Sequence, residues 1–515
     1  MDESQLVVAP PRRRTWLRVG VLGLAVGAAL AVASAAPRPR ETVAQLSKTV
    51  HRALDDDGAA GRSSTSIAAR KVVYGDMDPD DVQALFTKFA DDNARSYESD
   101  EERAKRFVVF KKNLQFIDTL NINNPHALYG VTQYADWTSD EVKRMKLPST
   151  FSNYTKTKRV LVERGYISED TLRQVEDPDV DPEDIEDDVA RRNLRDEARK
   201  ADGKTWKDGL DMKHSADTAY AITQGEVEWM RTRDCAACAL DKTFALYTLG
   251  GEPTNFDWRE LGAVTAVKNQ AECGSCWSFS TCGDVEGTKF LGSGGTILHS
   301  LSEQQLVACN TMNMGCDGGY PFAAMQYAAH FGGLVHLEDY EYKAINEGSS
   351  GTPSCDTATL NSALERDDVA HVGGWQFVAM GDKYEKKMPL ALVKNGPLSV
   401  SFNANGMEFY VEGIVGCTTG RCKSGAIDHE VPCDPDSLDH AVLIVGYGVQ
   451  EGDQDEVTHM NDDVDWEDDD INYWVIKNSW GSEWGEAGYY RLVRGTNACG
   501  VANMVVHSVY KAPGP

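Results

Sequence analysis

The sequence predicts an α+β chain in which a helical segment precedes a larger region, itself helical in its first half and built of strands in its second. Three observations carry this prediction. Between Asp80 and about Leu147, residues Glu102, Arg106, Phe110, Asn113, Ile117 and Asn121 recur at spacings of three and four, which puts them on one face of a helix. After Cys276, the run Trp277-Ser278-Phe279-Ser280-Thr281-Cys282 reads as a second helix. Far downstream, Leu398 to Phe402, Ala441 to Tyr447, Tyr473 to Lys477 and Tyr489 to Val493 read as strands. A chain of 515 residues is long enough for two or three units.

The front helix has an i,i+4 ion pair, Glu102 to Arg106, and an apolar stripe of Phe110, Leu114 and Ile117. Ahead of it, Arg12, Arg13, Arg14 and Arg18 precede an apolar run from Val19 to about Ala36 that contains Ala33-Ser34-Ala35. Residues 1–36 thus read as a signal peptide or as an uncleaved signal anchor, and a membrane is a partner only in the second case. Either way the chain takes the secretory route, so its 12 cysteines read as mostly disulfides. Residues 37–79 lack periodicity and read as a flexible arm. Acidic residues outnumber basic ones 80 to 52 for a net charge of -28, which excludes nucleic acid as a partner.

The chemistry concentrates at Gln270-Ala271-Glu272-Cys273-Gly274-Ser275-Cys276-Trp277. A thiol attacks a carbonyl as thiolate, and its pKa falls at a helix N-terminus and beside an imidazolium. Gly274 suits the turn into the helix through its tolerance of positive φ, and Ser275 suits the N-cap. Gln270 can aim a side-chain N–H at the oxyanion that forms, beside the backbone N–H of Cys276. A redox pair or half a zinc site is the other reading of a C-x-x-C.

Cys273-Gly274-Ser275-Cys276-Trp277 resembles the signature of the papain family of cysteine proteases, cathepsin L-like. Asn255-Phe256-Asp257-Trp258-Arg259 resembles the start of such enzymes, and the likeness runs to Tyr510. The resemblance implies a papain-like two-domain fold with a helical left half and a β-barrel-like right half, preceded by a helical propeptide. It makes His440, in Asp439-His440-Ala441-Val442, the base for Cys276. It makes Asn478, in Lys477-Asn478-Ser479-Trp480-Gly481, the group that orients the imidazole under the cover of Trp480. A lone His ahead of an apolar run is otherwise a structural residue. Gly318 and Gly319 fall where the family pairs with substrate backbone, and Ser401, Ala441 and Met504 where it lines the S2 pocket. Met504 carries no charge, so Leu, Val or Phe is expected at P2. No metal, nucleotide or organic cofactor is implied. Cys276 and His440 are 164 positions apart and Cys276 and Asn478 are 202, because insertions lie within Thr418 to Asp439 and at the acidic stretch Gln450 to Asp470. That acidic stretch reads as a solvated loop or as an exosite for basic proteins.

The spaced residues from Glu102 to Asn121 match the inhibitory propeptide of this family, and Gly130-x-Thr132-x-Tyr134-x-Asp136 resembles its second motif. The expected organisation is a propeptide domain over 80–147, an acidic insert over 148–249 and a peptidase over 250–515. Within the insert lie an acidic, Pro-containing run from Glu176 to Asp188, the pair Cys235 and Cys238, and a glycosylation sequon at Asn153. The insert reads as a passive spacer or as a second activation checkpoint. By family position Cys273 pairs with Cys316 and Cys309 with Cys355. Cys499 pairs with Cys417 or Cys433, Cys422 is unassigned, and Cys282 stays a free thiol beside Cys276. The expected protein is a zymogen of a secreted or lysosome-like endopeptidase acting on proteins and peptides, with its own propeptide as intramolecular inhibitor. An exopeptidase or transpeptidase of the same fold, and a non-catalytic peptide-binding homologue, are the alternatives.

Overall fold

Ser99 and Thr138 show how local chemistry sets the front segment. Ser99 caps a long helix by accepting from the Glu102 N–H at 3.1 Å. Thr138 and Glu141 form a full reciprocal capping box at a short one. A computed structural model of the chain describes residues 67–147, 154–163, 169, 254–343, 353–416, 433–450 and 470–511. The N-terminal apolar run, Asn153, the acidic run of the insert, Cys235, Cys238, Cys417, Cys422 and nearly all of the acidic stretch after Gln450 lie outside the described residues. No helix among the described residues is long and apolar enough to cross a membrane.

In chain order the helices are α1 (Ile67–Arg70), α2 (Pro79–Asp92), α3 (Asp100–Asn123), α4 (Ser139–Lys143), α5 (Tyr154–Glu163), α6 (Cys276–Gly292), α7 (Glu303–Cys309), α8 (Pro321–His330), α9 (Thr357–Leu364) and α10 (Met388–Asn395). The strands are β1 (Ala127–Tyr129), β2 (Phe256–Asp257), β3 (Val372–Ala379), β4 (Leu398–Phe402), β5 (Tyr410–Val415), β6 (His440–Gln450), β7 (Ile471–Lys477), β8 (Tyr489–Val493) and β9 (Met504–Tyr510).

The apolar stripe of α3 is buried: Phe110, Leu114 and Ile117 share one core with Phe86 and Phe89 of α2 and with Phe402, Phe409, Tyr410 and Trp484 of the sheet region. The polar members of the spaced set tie α3 to the motif that follows. Asn113 Nδ2 donates to the carbonyls of Ala135 and Trp137, both at 2.9 Å. Asn121 exchanges two hydrogen bonds with Tyr129, both 2.9 Å. Arg106 lies 3.8 Å from Glu102, but its closer partner is Glu141, which takes both of its terminal nitrogens at 2.7 Å.

The nine strands form one sheet in the order β1-β5-β8-β7-β6-β4-β9-β3, with β2 paired to β6. Neighbours are antiparallel except β5 and β8. This corrects the β-barrel-like right half expected from the sequence. The sheet is open, because β1 and β3 end the path and do not pair with each other. The physical reason is that the outer edge of β5 is already taken by β1, which comes from the front segment and satisfies that edge as an added strand. The architecture is therefore α+β, with a helical half and a half built on an open mixed sheet.

The helical half surrounds α6, which is buried from Cys276 to Lys289. A helix enclosed on all sides needs small residues where the sheet approaches, and a Cβ at Gly287 would lie 2.4 Å from Pro397 Cδ. Trp277, Phe322, Leu306 and Trp375 fill the core of this half. Ser302 caps α7 by accepting from Gln305 N at 3.0 Å. The Gln305 side chain is spent elsewhere, on Gly333 O and Val335 N, so only half of a capping box forms.

Candidate active site

Cys276 is the first residue of α6, and α6 begins where two loops are zipped together. Gln270 N donates to Ser479 O at 2.8 Å and Gly481 N to Lys268 O at 3.1 Å, which joins the strand-like approach to Cys273 with the turn after β7. The disulfide Cys273–Cys316 anchors the same turn to the segment that leads to Gly318 and Gly319. Gly274 is required here for close approach rather than for positive φ: a Cβ would stand 2.5 Å from Cys316 O and 3.0 Å from Lys146 O. Ser275 is the N-cap residue by position, yet its side chain makes no capping bond. Its Oγ meets Tyr342 Oη at 2.7 Å, and Tyr342 Oη also donates to Gln270 O at 2.9 Å.

His440 opens β6 and is paired in register with Phe402 of β4. Its Nε2 meets Asn478 Oδ1 at 2.8 Å, while its Nδ1 is buried with no hydrogen-bond partner. The imidazole lies against Trp480, ring centres 5.0 Å apart, and Trp480 packs in turn on Trp484 at 5.2 Å. On the other side Tyr134 of the front segment meets Trp480 edge-on at 5.8 Å. Cys276 Sγ accepts from Ala441 N at 3.4 Å, so the thiol and the imidazole belong to the same few residues of space. Gln270 completes the group. Ser479 Oγ donates to its Oε1 at 2.6 Å, which fixes the amide so that Nε2 points outward.

That outward amide is occupied. Gln270 Nε2 donates to Cys273 O and to Met145 O, both at 2.8 Å. The front segment then continues through the cleft, with Leu147 N donating to Asp439 O at 2.6 Å. Met145, Lys146 and Leu147 are buried. Covered in this way, Cys276 and His440 are fully buried. Burial pushes the Cys276 thiol up to about 12, and it lowers the His440 imidazole to about 3 although the Asn478 hydrogen bond works the other way. Covering the pair thus disfavours the charged form of both groups.

The sheet brings Ser401, Ala441 and Met504 side by side on three adjacent strands. Ser401 of β4 is in register with Ala441 of β6 on one side and Met504 of β9 on the other. Ala441 and Met504 share an apolar cluster with Leu147, Leu438 and Tyr320. Gly318 has φ +106°, and Gly319 admits no Cβ, since one would lie 2.7 Å from the Trp277 ring. The remaining described disulfides are Cys309–Cys355 and Cys433–Cys499, and Cys276 and Cys282 are free. The structure assigns Cys433 to Cys499, a choice the sequence left open. Ser479, Tyr342, Lys146 and, 3.6 Å from the Lys146 ammonium, Glu408 are site residues that the sequence reading did not single out. Ser479 had a signal, since it adjoins Asn478; the other three are brought in by folding.

Among the described residues, His299, His336 and Asp368 also gather, in the helical half. His299 Nδ1 and His336 Nε2 are 2.8 Å apart, and each lies 3.7 Å from Asp368 Oδ2. That carboxylate is held by Arg366 through contacts of 2.9 and 3.2 Å, which a cation would have to displace.

Comparison with known proteins agrees with this geometry. The family model "Papain family cysteine protease" matches residues 252–509, and "Cathepsin propeptide inhibitor domain (I29)" matches 86–142. Cathepsin F of Drosophila melanogaster is 31% identical over 433 residues, 84% of this chain and 51% of that protein. Cysteine proteinase 1 of Dictyostelium discoideum is 30% identical over 445 residues, 84% of this chain and 94% of that protein. The chain therefore spans about half the length of the fly cathepsin F and nearly all of the Dictyostelium enzyme. In fold, it resembles the proform of a cysteine protease that is a major ragweed pollen allergen, with a TM-score of 0.50 at 24% identity over 85% of this chain and 97% of that one. The chain belongs to the papain family of cysteine proteases, with a match to a cathepsin propeptide inhibitor domain ahead of its match to the protease.

Proposed function

We propose that the mature protein is a cysteine endopeptidase acting through Cys276, His440, Asn478 and Gln270. The observation that carries this reading is the Nε2–Oδ1 contact of His440 and Asn478 at 2.8 Å, which leaves Nδ1 unpartnered one residue from Ala441, whose N–H meets the Cys276 thiol at 3.4 Å. Once the propeptide leaves, water and substrate reach the pair. His440 takes the Cys276 proton, and the thiolate attacks the scissile carbonyl. The tetrahedral oxyanion is held by Gln270 Nε2 and the Cys276 backbone N–H. The carbon–nitrogen bond breaks as His440 returns its proton to the leaving amine. A water, deprotonated by His440, then hydrolyses the thioester and frees Cys276. Met145 O, on Gln270 Nε2 at 2.8 Å, stands where the substrate oxygen would sit.

Leu147, sharing a cluster with Ala441 and Met504, supports Leu, Val or Phe at P2. Gly318 and Gly319 would pair with the substrate backbone. The organisation that fits is a secretory signal or anchor over 1–36, an arm over 37–79, a propeptide over 80–147, an insert over 148–249 with a glycan at Asn153, and a peptidase over 250–515. A secreted or lysosome-like site of action follows from that organisation.

The test compares wild type with Cys276→Ala after maturation, on peptides blocked at both ends and on free-ended ones. Turnover of the blocked peptides should fall by about four orders of magnitude or more in the variant. Cleavage by Cys276→Ala at the wild-type rate would overturn the assignment. Cleavage of free-ended peptides alone would make the enzyme an exopeptidase.

A further inference from the structure

Two carboxylates on the wall of the cleft have a cation that belongs to the propeptide. The Lys146 ammonium donates to Ala404 O at 2.7 Å and lies 3.6 Å from Glu408 Oε2 and 3.8 Å from Asp439 Oδ2. The side chains of Lys146 and Glu408 are 6% and 9% exposed, and that of Asp439 is 22% exposed. Asp439 is fixed by donation from Ala404 N to its Oδ1 at 2.7 Å. Glu408 Oε2 is buried and makes no hydrogen bond, so the ion pair with Lys146 is its compensation. When the propeptide is removed, two carboxylates and a carbonyl oxygen remain around a vacated ammonium position. Two carboxylates and a carbonyl oxygen converging on one point make a negative site there, so this group of acceptors favours a cation.

Its location follows from the neighbours. Lys146 adjoins Met145, whose carbonyl meets the oxyanion donor Gln270. On one side of that point lies Leu147, in the apolar cluster with Ala441 and Met504. On the other lie Trp480 and the propeptide residues Gln133 and Tyr134 that bond its carbonyl. Glu408 lies on this second side, since Glu408 O accepts from Thr132 Oγ1 at 2.6 Å and Trp484 Nε1 donates to Met407 O at 3.1 Å. If Ala441 and Met504 mark the acyl side, Glu408 borders the leaving-group side.

We infer that Ala404 O, Glu408 and Asp439 form a binding site for a basic side chain at the first substrate residue after the scissile bond. The site takes lysine most directly, because Lys146 already occupies it with an ammonium. The inference rests on the endopeptidase reading and extends it from the acyl side, where an apolar residue is expected, to the leaving-group side. Lys146 is then a substrate mimic within the inhibitor.

The test uses mature enzyme on internally quenched peptides that share an apolar P2 residue and differ at P1′: Lys, Arg, Ser, Leu or Glu. Charge-assisted contacts of this kind correspond to roughly ten- to hundredfold in kcat/KM for Lys over Leu. Glu408→Gln should bring the Lys-to-Leu ratio towards one. A flat P1′ profile in the wild type overturns the inference, as does a Lys preference that survives Glu408→Gln. If the enzyme cleaves none of the peptides, the endopeptidase reading fails separately. Binding of the same peptides to mature Cys276→Ala protein then decides the inference: tighter binding of the Lys peptide supports it, and equal binding overturns it.

Discussion

Two lysines, one half-buried and one buried, each face two carboxylates and serve different ends in this molecule. Lys268 lies 3.1 Å from Glu286 and 2.5 Å from Glu303 and donates to Leu301 O at 3.1 Å, all within the peptidase. Burial lowers its pKa, but the two carboxylates outweigh that and hold it well above the usual lysine range. Lys146 faces its carboxylates at 3.6 and 3.8 Å from the front segment, which the proposed maturation removes. The first cluster includes Glu286 of α6 itself and lies wholly within the residues matched to the protease. The second is a joint between inhibitor and enzyme. Breaking a buried ion pair whose members belong to one domain unsettles the fold, whereas breaking one whose members come from two regions unsettles the covered state.

The largest expected effect breaks the first cluster. Lys268→Met removes the cation in contact with both Glu286 and Glu303 and leaves Lys477 as their remaining counter-charge, which costs about 3 kcal/mol. A thermal melt of mature enzyme should show a drop of several degrees or failure to fold, whereas an unchanged melt would make this cluster no different from a surface pair. Lys146→Met should act on the joint instead. The zymogen should process faster and at higher pH than wild type, by about tenfold in rate at a fixed pH, while the mature enzyme melts as before. Equal processing rates would show that Lys146 carries none of the inhibition.

A smaller effect separates the latch inside the propeptide from the joint. Burial would raise the Glu141 carboxyl, but hydrogen bonds from Arg106 and Thr138 outweigh it and pull the pKa down to about 2. A carboxyl whose folded pKa is depressed contributes stability above its unfolded value, near 4.3, and loses it as pH falls through the folded value. The Arg106–Glu141 pair therefore persists at pH 5. Glu141→Gln should lower the melting temperature of Cys276→Ala zymogen at pH 6, and the difference should close between about pH 4 and 2. A gap that closes already between pH 6 and 5 would make this pair the acid trigger.

The same division between local and distant contacts explains what was legible in the sequence. β4 and β8 were readable to the residue, since Leu398–Phe402 and Tyr489–Val493 are short runs rich in β-branched and aromatic residues. β3 was not, because Gly373 and Gly374 interrupt it. β9 was missed as well: it carries His507 and Ser508 in a buried stretch, with Ser508 N satisfied by Asp284 at 2.7 Å. The open sheet was hidden for a related reason: β1 is three residues long, and its pairing with β5 depends on the propeptide docking. At the site, Gln270, Cys276, His440 and Asn478 stood out through motifs in their own neighbourhoods. Lys146 and Ala404 are 258 positions apart, and no local pattern marks either.

Met145, Lys146 and Leu147 of the front segment cover the proposed Cys276–His440–Asn478 site. Thiol labelling tests it most directly. Intact zymogen and matured enzyme are treated with iodoacetamide and mapped by peptide mass, with peptide cleavage followed in parallel. The account predicts that Cys276 is unmodified in the zymogen and modified rapidly after maturation, in step with loss of activity, while the buried Cys282 stays unmodified in both. Equal labelling of Cys276 in the intact zymogen, or full activity after its modification, would contradict it.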